Sequence, residues 1–82
     1  MNKAGDLREA VALLQRGDWK AAHEIVQADE DSRLSCWAHG IVHVLEGDLP
    51  NARYWYRKAG RVFPRNPSPG DEVRALSAAL EE

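Results

Sequence analysis

The residues of this chain best suited to chemistry are its histidines. His39 and His43 stand four apart, so a helix would set them on one face, one turn from each other. Cys36 precedes His39 by three and falls on the same stripe, and His23, followed by Glu24, lies in an earlier apolar-periodic segment that could face it. Zinc or iron sites in helical proteins are built from three or four such ligands converging from neighbouring helices, and this spacing permits one. The H-E-x-x-H order is absent, and no carboxylate is forced into the group. The leading expectation is therefore that His39 and His43 are neutral core residues, hydrogen-bonded to backbone or to Asn51, Tyr54 or Glu46. A metal site on His23, Cys36, His39 and His43, or acid–base work by the same rings, is the alternative.

A second constellation is Arg53-Tyr54-Trp55-Tyr56-Arg57-Lys58 with Arg61. At helical spacing Trp55 and Tyr56 join Ala52 and Ala59 on an inward face. Arg53, Arg57 and Arg61 form a basic outer stripe flanked by Tyr54 and Lys58. Arginine beside aromatic rings can stack on bases or hold phosphate, but two of the three aromatics turn inward, which removes the platform. Three readings stay open: a solvated face whose long side chains cover the rings beneath, a docking surface for an acidic peptide, and a nucleic-acid contact. The chain has no glycine-rich phosphate loop. Gly5, Gly17, Gly47 and Gly70 read as isolated turn glycines, and Ser32, Ser35, Ser68 and Ser77 lack the context of a nucleophile. With no catalytic signature, the sequence predicts neither an enzyme nor a cofactor.

The elements that must position these residues are helices. Apolar residues recur at helical period throughout, with no strand alternation. Helices are expected over 6–16, 18–28, 32–46, 49–61 and 69–80. Gly17-Asp18 and Gly47-Asp48 are one device used twice: glycine takes the left-handed conformation that closes a helix, and aspartate caps the next. Ser32 is the expected cap of the third helix. Pro50 suits the first turn of the fourth. Residues 64–70 form a proline-rich linker, and Ser68-Pro69-Gly70-Asp71 has the form of a capping box that restarts the chain as a fifth helix. The fold class is thus all-α: an antiparallel hairpin over 6–28, a second over 32–61, and a C-terminal capping helix over 69–80, in one domain.

Gly17-Asp18-Trp19 with Ala22 recurs thirty residues later as Gly47-Asp48-Leu49 with Ala52. In the second copy Gly40, seven residues before Gly47, is similar to the small residue of a tetratricopeptide repeat's first helix, His43 falls where its tyrosine sits, and Tyr56, Ala59 and Pro64 fall at the aromatic, alanine and terminal proline of its second helix. On these residues, 6–64 resembles the tetratricopeptide (TPR)/Sel1-like helical-repeat superfamily, the second half more closely. The first has Ala10 in place of the glycine and Asp29 in place of the closing alanine. Residues 39–61 are also similar to a group of small uncharacterised bacterial proteins with an H-x3-H-x2-EGD-x2-NA-x-YWY-x2-AGR pattern, which Trp19-x3-His23-x2-Val26 also fits. The resemblance implies stacked hairpins that leave a groove for a peptide or partner helix.

Composition sets outer limits. The 82 residues carry a net charge of −2, which argues against a dedicated nucleic-acid binder. The charge is unevenly spread: residues 33–66 are net +4, and the segments on either side are −3 each. One cysteine points to a reducing compartment. No apolar run approaches a membrane span, and Met1 to Asp6 do not open a signal peptide, so the expected location is cytoplasmic, with no membrane contact. The leading functional expectation is a protein–protein interaction module that binds a protein or peptide, with a homodimer as one arrangement, since two repeats are few for a stable array. The alternatives are a small metal-binding protein using His23, His39 and His43, and a structural accessory subunit of a larger assembly.

Overall fold

The computed structural model describes residues 3–81 and the side chains of residues 6–81. It consists of five helices, α1 (Lys3–Gln15), α2 (Trp19–Val26), α3 (Arg33–Glu46), α4 (Leu49–Lys58) and α5 (Pro69–Leu80), with no strand among the described residues. No described helix is long and apolar enough to cross a membrane.

Local chemistry sets the reversals. Gly17 and Gly47 sit at φ 78° and 91°, the left-handed region open to glycine. At the first, the Gly17 N–H donates to Leu14 O at 3.0 Å and the Asp18 N–H to Leu13 O at 2.9 Å. At the second, the Gly47 and Asp48 N–H groups both donate to His43 O, at 3.0 and 2.9 Å. These bonds satisfy carbonyls that a helix end leaves orphaned. The side chains of Asp18, Ser32, Asp48 and Ser68 then accept backbone N–H bonds from Ala21, Ser35, Asn51 and Asp71, capping the four helices that follow.

Three expectations are corrected. Gly5 and Gly70, read as turn glycines, lie inside α1 and α5. The fourth helix stops at Lys58 rather than 61: Gly60 is a third left-handed glycine, at φ 75°, and the Arg61 N–H closes the end on Tyr56 O at 2.9 Å. Arg61 therefore leaves the helical stripe it was expected to share with Arg53 and Arg57.

Helices α1 and α2 pack as one hairpin and α3 and α4 as another, with α2 against α3. Helix α3 is the centre, touching all four others, and every residue from Ser35 to His43 is buried. Its approach to α4 is close because position 40 has no side chain: a Cβ there would lie 2.7 Å from Tyr56 Cε1 and nearer still to Cδ1. The fifth helix does not extend the hairpin series. It folds back across α1 and α3, burying Val73 and Leu76, each worth roughly 1.5–3 kcal/mol by removal from water.

Candidate metal centre

Packing of α2 on α3 brings three imidazoles together. Ala22 and Val26 of α2 are fully buried, which places His23 beside the seam, partly exposed. His39 and His43 project from α3 one turn apart. Ring centroids are 4.8 Å apart for His23–His39, 5.4 Å for His23–His43 and 5.0 Å for His39–His43. One ring nitrogen from each lies within 4.8 Å of the other two. Bonds of about 2.0–2.1 Å to a tetrahedral ion would put such nitrogens a little over 3 Å apart, so the rings would have to draw closer to share one.

Each α3 ring is held differently. His39, 4% exposed, lies flat against Trp55, with centroids 3.8 Å apart and planes at 9°. Its Nδ1 is buried and has no hydrogen-bond partner. Burial above all, then the nearby His43, His23 and Lys58, pulls its pKa down to about 3, so at neutral pH the ring is the uncharged base that a metal ion requires. His43 is also buried, and its Nδ1 sits 2.8 Å from Glu46 Oε1. The expectation of hydrogen-bonded core histidines therefore fits His43, through Glu46, and fails at His39 Nδ1.

Cys36 does not join the group. Its buried thiol donates to Glu30 O at 3.3 Å, in the connection before α3. Burial raises its pKa, opposed by Lys58 and aided by Asp29, Glu30 and Asp31, which disfavours the thiolate a metal would need.

The basic segment is split. Arg53 and Arg57 are exposed on α4, as is Tyr54 at 50%. Lys58 turns to the other side, 5.0 Å from the Trp55 ring and 3.5 Å from Glu30 Oε1. The guanidinium of Arg61 lies 3.5 Å over the Trp37 ring.

A residue that sequence reasoning passed over ties α5 to the hairpins. Glu72 Oε1 accepts from Tyr56 OH at 2.6 Å and from Trp37 Nε1 at 3.2 Å. Tyr56 is held well above the usual tyrosine pKa, chiefly by burial and then by this carboxylate. A signal existed: deeply buried tyrosine and tryptophan need a polar partner, and Glu72 follows the cap of the next helix. Comparison with protein-family models, with curated proteins and with solved structures finds no match to this chain.

Proposed function

We propose that this is a small metal-binding protein that holds one divalent first-row ion, zinc among the candidates, on His23, His39 and His43. The observation that carries the reading is three imidazoles converging from two helices, one of them neutral, buried and unpartnered at Nδ1. An imidazole set without thiolate suits zinc, nickel or copper(II) rather than copper(I). Three protein ligands leave a coordination position for water or an outside group. The reading is one of binding and calls for no catalytic step. The lone buried thiol supports work in a reducing compartment such as the cytoplasm.

The test is zinc titration of untagged protein, with elemental analysis and thermal melting. The expected result is one ion per chain. Saturation at a hundredfold excess over Kd should stabilise by about 2.7 kcal/mol, a rise in Tm of roughly 10–20 °C for a domain this size. H23Q, at the partly exposed position, should stay folded and lose most of the shift. Sub-stoichiometric zinc and an unmoved Tm would end the reading.

A second reading, a protein-interaction module, is supported by α4, whose backbone packs against α3 alone and whose outer face carries Arg53, Tyr54 and Arg57. It requires an acidic partner, and binding of an acidic peptide should weaken when Arg53 and Arg57 are reversed to Glu.

A further inference from the structure

We infer that Glu46 is the positioning residue of the three-histidine centre: its carboxylate accepts a hydrogen bond from the Nδ1–H of His43, which keeps the proton on Nδ1 and so leaves Nε2 bare for the ion. The inference rests on the metal reading above. Its basis is the 2.8 Å contact between His43 Nδ1 and Glu46 Oε1. A carboxylate can only accept, so a neutral ring in this contact must carry its proton on Nδ1. The lone pair then belongs to the opposite nitrogen.

The other groups around His43 do not compete for this task. Asp48 lies close enough to form a ligand group with His43 and Glu46, but its carboxylate caps α4 by accepting the Asn51 N–H at 3.3 Å. His23 and His39 approach His43 as rings, at 5.4 and 5.0 Å between centroids. The centre thus has one ring oriented by a carboxylate, His43, and one oriented by stacking on Trp55, His39. Metal-bound histidines commonly give their second N–H to a carboxylate, which sets the tautomer and makes the ligating nitrogen more basic. Losing that partner typically costs 10–100-fold in affinity.

The position also explains why the partner is Glu46. It is the last residue of α3, three after His43 on the same side, and its side chain is 38% exposed while that of His43 is 8% exposed. The carboxylate keeps contact with water while its partner is buried. Removing it therefore leaves no buried charge unpaired.

The experiment uses the full chain as wild type, E46L and E46Q, with zinc affinity measured by chelator competition and the His43 tautomer read by long-range proton–nitrogen NMR on metal-free protein. Expected are a proton on Nδ1 in the wild type, its transfer to Nε2 in E46L, and a 10–100-fold weaker zinc affinity in E46L. E46Q, which keeps an acceptor of nearly the same shape, should hold the tautomer and lose less. A purely packing role for Glu46 would change stability and leave the tautomer where it was. If the wild type binds zinc and E46L matches it, or if wild-type His43 already carries its proton on Nε2, the inference fails and the metal reading stands. If the wild type binds no zinc, the metal reading fails and takes this inference with it.

Discussion

Gly40→Ala tests the packing of α3 on α4. In an exposed helix, alanine in place of glycine stabilises by about 1 kcal/mol. Here the new Cβ would sit 2.7 Å from Tyr56 Cε1, closer to Cδ1, and 3.3 Å from Ala52 O, against about 3.5–4.0 Å for relaxed carbon contacts. The tyrosine has little room to yield. It is 1% exposed, its ring meets Phe63 edge-on at 5.0 Å, and its hydroxyl is tied to Glu72. Over-packing of this kind costs typically about 1–3 kcal/mol. Relieving it by swinging the ring would forfeit a bond to a charged acceptor worth about 1.5–3 kcal/mol. At the middle of either range the cost exceeds the propensity gain, and the net expectation is a loss of about 1 kcal/mol, a Tm roughly 4–8 °C lower. Thermal melting followed by circular dichroism, with urea unfolding as a second measure, reads it directly. A variant as stable as the wild type, or more so, would refute the claim that the two helices touch through an absent side chain.

Tyr56→Phe removes the hydroxyl that donates to Glu72 and should lower stability by about 1.5–3 kcal/mol in urea unfolding. Combined with Gly40→Ala it should cost less than the sum, because a ring freed from Glu72 can move aside. Acid should weaken the metal-free fold through His39. Its folded pKa lies near 3, below the unfolded value of about 6.5, so between these limits the unfolded chain binds the extra proton. Its contribution is complete above about pH 6.5 and falls away as pH drops towards 3. The wild type should lose more urea resistance than His39→Gln between pH 7 and pH 4, and equal losses would remove His39 as the cause.

The parts of the fold legible in the sequence are those whose chemistry is local. Gly17-Asp18, Gly47-Asp48, Ser32 and Ser68 each act on backbone groups within a few residues, so their types and order sufficed to place four helix starts and two reversals. Gly60 closes α4 by the same backbone geometry, but Arg61 follows it rather than a capping aspartate, so nothing marked a stop there and Arg61 was assigned to a stripe it leaves. The site divides in the same way. Spacing alone puts His39 and His43 on one face, whereas the arrival of His23 depends on how α2 lies against α3. Cys36 shares the α3 stripe by count, yet its thiol turns to the carbonyl of Glu30. The destination of α5 was hidden for a related reason: Val73 and Leu76 mark an apolar face without saying what it will cover, and Glu72 finds Trp37 and Tyr56 only once the chain has turned back.

That return of α5 shapes how the molecule can fold. The pairings of α1 with α2 and of α3 with α4 join segments adjacent in the chain and can form early at small entropic cost, while the meeting of α5 with α1 closes the longest loop between any two packed helices. During synthesis the first four helices must wait, with the α1 and α3 surface still wet, until the fifth has been made. A chain truncated before residue 76 would have helical hairpins and an open flank, the form most exposed to proteases and to association with its own kind.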